Sequence, residues 1–379
     1  MQFGYNEIKV NNTEKTIISK IQKNGPITFA EFMNIALYDN ESGYYTSGSA
    51  EIGKKGDFYT SPHVHSAFGE IIANFIIKAD KYLPGNDLNV IEIGSGKGYL
   101  AYDILNHIHS GSEHTVNLDY IIIEKHNNKF INELESFTDK IKIYNDISML
   151  DKNISGIVVS NELFDSLPFH KIIYKEKNLH ENYIDFINGN FTEITDEISD
   201  QLIIEYIERY SLNFSDSKQM EVCLQAGSYL KEISELLREG FILTIDYGSL
   251  SDELFSNEKP EGTYRCFHKH SVNTDIFSNI GSQDITADVD FSNLILSGSK
   301  YGLEKIKYTS QAQFLVDWGI LDIYERTVKL DEEGSQAIKN LFMPGMMGNY
   351  FKVLIQRKNV EVDNGFYRDS ELKISFGIT

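Results

Sequence analysis

The sequence predicts an α/β fold in which helices cover both faces of a doubly wound parallel sheet. Between residues 89 and 160, short runs of Val, Ile and Tyr that are typical of buried strands alternate with segments of helical period. The first of these strands leads through a glycine-rich turn directly into a helix, which is how a βαβ unit begins. A helical extension precedes this core, and an α+β segment is inserted into it.

Helices are predicted before the first strand. Residues 16–23 have an amphipathic pattern that ends at Gly25-Pro26, and Thr28-Phe-Ala-Glu31 is a capping box that begins a second helix, through residue 37. The longest apolar stretch, 71–77, is much shorter than the roughly 20 residues that cross a bilayer, so it is predicted to be a helix of the core.

The core elements follow in alternation. Residues 220–238 are predicted to form a later helix closed by Gly240, and 241–246 a buried strand after it. Residues 349–356 are predicted to be the closing edge strand of the sheet. The other predicted elements are strands at 90–93, 120–123, 141–144 and 156–160 and helices at 99–108, 127–137 and 311–318.

Two segments interrupt this alternation. Residues 169–218 are polar and rich in aromatic residues, and 171–174 and 181–184 are predicted to be antiparallel strands of an insertion over the site. Residues 248–290 are rich in Gly, Ser and Asn. Because loops of this length are seldom mere connectors, we expect a functional lid.

Composition and charge limit the classes of function. The 379 residues are 41% hydrophobic, so the chain can bury a large core. With 35 Lys and Arg against 56 Asp and Glu, the net charge of −21 disfavours nucleic acid and anionic membranes as partners and favours a basic one. The two cysteines, Cys223 and Cys266, are too few for a disulfide scaffold. Since the first residues show no export or organelle signal, a cytoplasmic location is expected.

The glycine-rich turn predicts a ligand site. Gly94, Gly96 and Gly98 can adopt positive φ and let a ligand approach main-chain N–H groups, although such a turn can also be purely structural. A dinucleotide fingerprint would place glycine where this chain has Tyr99, which disfavours an NAD-dependent oxidoreductase. The sequence Glu92-Ile-Gly-Ser95-Gly-Lys-Gly98 instead resembles motif I of class I S-adenosylmethionine (SAM) methyltransferases.

Acidic residues follow the next two strands. Glu124 comes directly after the strand at 120–123, where a carboxylate can accept both ribose hydroxyls of an adenosine. Asp146, after the strand at 141–144, could reach the adenine amine, but Asn-Asp after a strand is also ordinary turn chemistry. Both residues are predicted cofactor ligands.

The strand at 156–160 leads into Asn161-Glu-Leu-Phe-Asp-Ser-Leu-Pro168, at the crevice where open α/β sheets bind ligands. Asn161 could orient a methyl acceptor and also contact the cofactor. Were the acceptor a guanidinium, Glu162 and Asp165 could hold its charge as a proton leaves. The same residue types also cap helices and form turns, so a structural role stays open.

A series of motifs runs along nearly the whole chain. They are Gly25-Pro26, Ser42-Gly-Tyr-Tyr45, Gly56-Asp-Phe-Tyr-Thr-Ser-Pro62, Phe68-Gly-Glu70, the turn at 92–98, Asn161-Glu-Leu-Phe-Asp165, Leu167-Pro168, His170, Asp246-Tyr-Gly248, Gly262-Thr-Tyr-Arg265, His270, the segment 284–291 and Met347-Gly-Asn-Tyr-Phe-Lys352. In this order they resemble the MidA family of mitochondrial complex I assembly methyltransferases and their bacterial relatives. The resemblance implies a SAM-dependent methyltransferase and, from eukaryotic members, transfer to an arginine of a respiratory-complex subunit.

In a fold of this family, the loop 56–62 would cover the cofactor. Asp57 and Thr60 would contact its methionine end, although a Gly-Asp turn and a Ser-Pro helix start explain the same residues. His170 is the histidine assigned a catalytic role. The chain departs from the family at His63, where relatives commonly have an acid, so the role of that acid is in doubt.

The acceptor side and the lid contain further candidates. Asp246 ends a buried strand, where an acid tends to be hydrogen-bonded and functional, and Tyr247 follows it. Arg265 is a lone cation in an acidic stretch with Asp288 and Asp290. It could clamp the lid or orient a substrate carboxylate, or form only a surface ion pair.

We therefore predict four regions and one principal activity. The regions are an N-terminal helical region with the covering loop (1–88), a SAM-binding core (89–168), an insertion on the substrate side (169–218) and the remaining core with the lid (219–379). The expected activity is methyl transfer from SAM to a basic or arginine-bearing protein. A small-molecule methyltransferase and a non-catalytic assembly factor that retains the fold stay as alternatives. No metal is expected, because three His-x-His pairs lack completing ligands.

Overall fold

The N-terminal region consists of helices with well-formed caps. The computed structural model of the chain describes residues 10–47, 60–111, 117–125, 130–210, 214–343 and 346–367. Asn11 and Thr28 each form a capping box with the glutamate three residues later. The predicted capping box at Thr28 is confirmed. The box at Asn11 makes the first helix begin at residue 12 rather than at the predicted residue 16. The elements are α1 (Asn12–Asn24), β1 (Ile27–Thr28), α2 (Phe29–Tyr38), α3 (Ser61–Val64) and α4 (Ala67–Asp80).

The predicted strands of the first half of the core are confirmed. Of the helix predicted at 127–137, residues 132–137 form a 3₁₀-helix, residues 130–131 are not helical, and residues 127–129 lie outside the described part. The elements are β2 (Asp87–Ile93), α5 (Tyr99–Ser110), β3 (Asn117–Ile123), the 3₁₀-helix Asn132–Phe137, β4 (Ile141–Tyr144), the 3₁₀-helix Ile147–Met149 and β5 (Ile154–Asn161).

The insertion forms an antiparallel sheet of its own, as predicted. Its elements are β6 (His170–Lys175), β7 (Asn178–Ile187), β8 (Asn190–Asp196), α6 (Gln201–Glu208) and β9 (Lys218–Val222). Among the described residues, β7 pairs with β6, β8 and the N-terminal β1, and β9 pairs with β6. The division of the chain into four regions stays a prediction, although β9 continues the insertion past its predicted end.

The second half of the core corrects two predicted boundaries. The helix predicted at 220–238 is wrong at both ends, because residues 220–222 pair within β9 and Gly240 lies inside a long strand. The predicted loop 248–290 contains short strands. The elements are α7 (Leu224–Leu236), β10 (Leu237–Ser249), α8 (Ser251–Leu254), β11 (Arg265–His268), β12 (Ser271–Asn273), β13 (Asp284–Thr286), β14 (Val289–Asp290), α9 (Phe291–Lys300), β15 (Glu304–Ser310), α10 (Gln311–Asp317), α11 (Ile320–Thr327), α12 (Glu332–Phe342), α13 (Met347–Tyr350) and β16 (Phe351–Lys358).

The central sheet is parallel from β4 to β10. Within the described ranges its order is β15-β16-β10-β5-β2-β3-β4, with β14 beside the end of β10. β16 is antiparallel to both of its neighbours. It was predicted as the edge strand, and this is wrong because β15 lies outside it. Val353 and Leu354 of β16 are buried on opposite faces of the sheet, as expected of an interior strand.

Apolar clusters on both faces confirm the doubly wound arrangement. In β2, Val90 packs with α4 and α5 on one face, and Ile91 packs with α7 and α9 on the other. A third apolar cluster joins α2 to Phe169 and to Ile285 of β13. The N-terminal helices therefore pack against the segment that follows β5 and against β13. No helix in the described part of the chain combines the length and apolar character needed to cross a bilayer.

The close contact between α4 and α5 gives a stability test. A Cβ at Gly69 would lie 2.4 Å from Asp103 Cβ, so Gly69→Ala is expected to destabilise the fold by about 1–3 kcal/mol through overpacking. Gly227, within α7, is the control, because its Cβ would only reach ordinary contact with Ser297 Oγ at 3.4 Å. Gly227→Ala should instead stabilise by up to about 1 kcal/mol. Urea unfolding measures the free energy of unfolding of both variants. Equal changes in the two variants would contradict the close packing of α4 against α5 at Gly69.

Candidate active site

A cavity of about 290 Å³ opens where the parallel strands end. Its lining includes the residues at or just after the carboxyl ends of β2, β3, β4 and β5, which are Ile93, Glu124, Asn145 and Asn161. Further parts of the lining come from α2, α3, the segment 161–168, α7 and β13. This is the crevice in which open α/β sheets bind ligands.

The glycine-rich turn has the backbone geometry that the sequence predicts. Gly94, Gly96 and Gly98 have φ of 77°, 57° and 82°. A Cβ at Gly96 would find no atom within 4 Å, and this residue lines the cavity. The Gly96 N–H donates to Glu124 Oε2 at 2.9 Å, so the predicted ribose ligand is held against the turn.

Two other predicted cofactor residues line the same end of the cavity. Glu92 is buried and accepts a 2.7 Å hydrogen bond from the Tyr120 hydroxyl, and burial raises the pKa of Glu92 to about 7. Asp146 accepts from the Ser148 N–H at 2.8 Å and caps a 3₁₀-helix. Asp146 therefore has the turn role that the sequence also allowed, and it lines the cavity as well.

Several polar atoms of the lining are buried and have no hydrogen-bond partner in the part of the chain that the structure describes. They include Ser95 Oγ, Asn161 Oδ1, His63 Nε2 and Thr286 Oγ1. Since buried polar atoms are normally satisfied, these atoms indicate a polar ligand. Together with bare backbone at Gly96 and a carboxylate at Glu124, they fit the hydroxyl, ammonium and carboxylate groups of SAM.

The covering loop is described only at its end. Asp57 lies outside the described residues. Thr60 lines the cavity, and its hydroxyl forms a hydrogen bond with His63 Nδ1, while the His63 ring packs on Tyr99 with centroids 4.6 Å apart. Burial lowers the pKa of His63 to about 4, so this imidazole is neutral at physiological pH.

The segment after β5 brings the predicted acceptor residues together. Glu162 has a φ of 54°, its N–H donates to Ile245 O at 2.9 Å, and its Oε1 accepts from Asn161 Nδ2 at 2.9 Å. Burial, and then the nearby Asp165, raise the pKa of Glu162 well above its usual range. Burial also raises the pKa of Asp165 to about 7, although Arg265 opposes this shift. All three predicted residues line the cavity.

Asp246 lies beneath this segment and outside the lining. It is fully buried at the end of β10, and its Oδ2 accepts from the Phe164 N–H at 2.8 Å. Asp246 therefore positions the segment that contains Glu162 and Asp165. Tyr247 does line the cavity, and the Arg265 guanidinium lies 5.1 Å from its ring centroid.

Besides Asp246 and Gly98, four predicted site residues lie outside the cavity lining: His170, Arg265, Asp288 and Asp290. His170 Nδ1 is 2.7 Å from Glu181 Oε1 within the insertion sheet, so the structure gives its imidazole a structural partner rather than a place at the cavity. Arg265 forms a 2.7 Å ion pair with Asp288 behind the lining. Asp290 caps α9, and three hydroxyl groups donate to its carboxylate, from Tyr206, Tyr210 and Ser251.

The structure also adds residues to the cavity that received no role from the sequence. Tyr38 and Tyr45 are stacked with ring centroids 5.4 Å apart, and Asp284 and Thr286 face the cavity from β13. Tyr45 and Asp284 belong to two of the motifs that resemble the MidA family, and this membership was the signal in the sequence that could have marked them as site residues. No group of three or more His, Cys, Asp or Glu side chains within the described residues is arranged to hold a metal ion.

The chain is similar to known SAM-dependent methyltransferases. A family model of S-adenosyl-L-methionine-dependent methyltransferases matches residues 70–309. The human protein arginine methyltransferase NDUFAF7 is 26% identical over 397 aligned residues, which cover 93% of this chain and 85% of that protein. The mouse protein of the same name is 28% identical, with 87% and 78% covered. Both are named as mitochondrial, as is the bovine one, so the prediction of a cytoplasmic location is wrong.

Solved structures confirm the predicted fold. A crystal structure of a protein from Burkholderia thailandensis, with S-adenosyl-homocysteine bound, has a TM-score of 0.84 at 24% identity over 92% of each chain. A native structure from the same organism has a TM-score of 0.83 at 22% identity, over 94% of this chain and 95% of that chain. The family model confirms SAM as the cofactor.

Gly96 provides a test of cofactor binding. A valine at this position would place side-chain atoms in the cavity, and such overpacking costs about 1–3 kcal/mol, or roughly 10- to 100-fold in SAM affinity. Gly189 in the turn between β7 and β8 is the matched control, since it also has positive φ, at 84°, and no atom within 4 Å of a Cβ. Calorimetry should show weaker SAM binding for Gly96→Val and unchanged binding for Gly189→Val. Undiminished affinity in Gly96→Val would place the cofactor elsewhere.

Glu92 provides a test of pH-dependent stability. Because its pKa is raised from 4.5 to about 7, the folded chain keeps a proton that the unfolded chain releases, so stability falls as pH rises from 5 to 8. Glu92→Gln keeps an acceptor for Tyr120 and should remove on the order of 2 kcal/mol from this pH dependence. Urea unfolding at pH 5 and pH 8 measures it, with Glu235→Gln on the surface as the control. If the free energy of unfolding of Glu92→Gln changed between pH 5 and pH 8 as much as that of wild type, the raised pKa of Glu92 would be refuted.

Proposed function

The chain belongs to the family of S-adenosyl-L-methionine-dependent methyltransferases, and we propose that it methylates an arginine side chain of a protein. The observation that carries this proposal is the pair of carboxylates after β5. Glu162 and Asp165 line the same cavity as the glycine-rich turn, and Asp165 is buried. A guanidinium is the side chain whose fixed fork of N–H donors best suits paired carboxylates.

The cofactor end of the cavity would be formed by the glycine-rich turn and the residues after β3 and β4. In this proposal the turn at 94–98 approaches the cofactor through its backbone, Glu124 accepts the ribose hydroxyls, and Asp146 lies toward the adenine. Ser95, Thr60 and Asn161 face the cavity between these groups and the acceptor side. Bound SAM supplies an electrophilic methyl group on a positively charged sulfur.

The acceptor residues have two tasks in this reaction. Glu162 and Asp165 orient one guanidinium nitrogen toward the methyl group, and burial limits competition from water. As the carbon–nitrogen bond forms, the methyl carbon–sulfur bond breaks, its electron pair stays on sulfur to give neutral S-adenosyl-homocysteine, and the nitrogen loses a proton. Because the pKa of Asp165 is raised to about 7, its carboxylate is a stronger base than an ordinary aspartate and can accept that proton.

A protein substrate is supported by two further observations. The curated animal relatives are named as protein arginine methyltransferases. The net charge of −21 favours a basic partner, since opposite charges speed and orient association. The acceptor would then be an arginine-bearing segment of a basic protein.

Transfer of tritium from labelled SAM tests this function. In lysate from a strain lacking the protein, added wild type should label a protein whose tritium is recovered as methylarginine. Glu162→Gln and Asp165→Asn should reduce labelling by about 10- to 100-fold, because each removes a charged hydrogen bond to the acceptor, while SAM binding persists. The control is Glu304→Gln, which changes only a surface ion pair with Arg357. Labelling by both acceptor variants at the wild-type rate would refute these roles, and label on a small molecule alone would refute the protein substrate.

A further inference from the structure

Strand β13 presents two polar side chains to the cavity. Asp284 and Thr286 are two residues apart and both line it, while Ile285 between them packs into the apolar cluster around α2. Across the ladder, Phe267 of β11 is paired with Asp284 and also lines the cavity. The strand therefore turns one polar face toward the acceptor side.

Thr286 is placed to bind a ligand. Its side chain is 4% exposed, and its Oγ1 has no hydrogen-bond partner within the described residues. A buried hydroxyl that no protein group satisfies is costly unless another group donates to it or accepts from it. At the wall of a cavity, that partner can be the substrate.

Asp284 accepts hydrogen bonds from Tyr45 and from the Ile285 backbone, both within the described residues. The Tyr45 hydroxyl donates to Asp284 Oδ1 at 2.8 Å, and the Ile285 N–H donates to the same oxygen at 2.9 Å. Burial, and then Asp284, raise the pKa of Tyr45 well above its usual range, so the phenol keeps the proton that it donates. With both donors on Oδ1, the orientation of the carboxylate is fixed.

The Tyr38 and Tyr45 rings form an aromatic wall beside these groups. The Tyr38 hydroxyl donates to Ser166 O at 2.9 Å, in the segment that contains Asp165, so each ring is anchored at its polar end. The Lys125 ammonium lies 5.6 Å from the Tyr38 ring centroid, so the wall already has one cation beside it. A planar guanidinium can lie flat against an aromatic ring and makes more contact with it than an ammonium does.

We propose that β13 selects the methyl acceptor: the Asp284 carboxylate and the Thr286 hydroxyl accept N–H groups of a guanidinium, and Tyr45 positions Asp284 for this contact. The inference rests on the proposed arginine methylation and adds its selectivity. Glu162 and Asp165 bind the guanidinium from the β5 side, and β13 binds it from the lid side. With carboxylates on two sides, a flat cation with donors along several edges is satisfied, while the three donors of a lysine ammonium point in other directions.

Binding of small acceptor analogues tests the selectivity separately from turnover. The probes are Nα-acetyl-arginine amide and Nα-acetyl-lysine amide, titrated by NMR against the full chain saturated with S-adenosyl-homocysteine. Wild type should bind the arginine probe at least about tenfold more tightly than the lysine probe, as expected for charged hydrogen bonds in fixed geometry. Asp284→Asn and Thr286→Val should reduce this preference to about threefold or less.

Three variants separate recognition from folding. Thr286→Ser keeps the hydroxyl and should retain the arginine preference. Tyr45→Phe should weaken the preference, because Asp284 loses its 2.8 Å donor, whereas Tyr210→Phe removes a donor at the same distance from Asp290, away from the cavity, and should leave it unchanged. Each variant must bind S-adenosyl-homocysteine with wild-type affinity, which reports a folded cofactor site.

The outcomes distinguish this inference from the proposed function. If wild type binds S-adenosyl-homocysteine but shows no preference for the arginine probe, both the arginine acceptor and the role of β13 are overturned. If wild type prefers arginine and Asp284→Asn and Thr286→Val keep the full preference, only the role of β13 is overturned. Loss of the preference in both variants, with the cofactor still bound, supports it.

Discussion

Carboxylates buried at the ends of β5 and β10 impose the strongest constraint on this structure. Asp165 and Asp246 are 6% and 0% exposed, and their neighbour Glu162 lines the cavity. Burying like charges together raises the free energy of the ionised state, and all three pKa values are raised accordingly. The fold offsets part of this cost with N–H donors from Phe164 and Tyr247 to Asp246. Under the proposed reaction, the cationic acceptor lowers the remaining cost at Glu162 and Asp165.

The insertion and the N-terminal helices serve to enclose this acidic crevice. Phe29 of α2 stacks on Phe169 with centroids 5.0 Å apart, which joins the N-terminal region to the start of the insertion. In the same apolar cluster, Ile285 anchors β13, and the Ala287 N–H donates to Asp165 O at 3.1 Å. This part of the cavity lining is therefore assembled from three distant parts of the chain. Apolar packing and this backbone hydrogen bond join them.

Local patterns predicted the parts of the protein that local interactions determine. The strands β2 to β5, the capping box at Thr28 and the positive φ of the glycine-rich turn all follow from residues close in sequence. The failures involve partners far along the chain. His170 is paired with Glu181 across a hairpin, and Asp290 accepts from Tyr206, which is 84 residues away. Sequence spacing could not reveal such pairs, nor that β15 would cover the outer edge of β16.

Charge also explains why a crevice of this kind can release its products. Under the proposed reaction, the bound pair begins with two positive charges, on the sulfonium and on the guanidinium. After transfer, the sulfur is neutral, the methylated guanidinium keeps one charge, and the departing proton neutralises a carboxylate. The ligands lose positive charge and the cavity loses negative charge in the same step. By Coulomb's law, the attraction between them therefore falls, and the change is larger in a medium less polar than water. The raised pKa of Asp165 contributes to both stages, since the ionised acid binds the reactants and the protonated acid holds the products weakly.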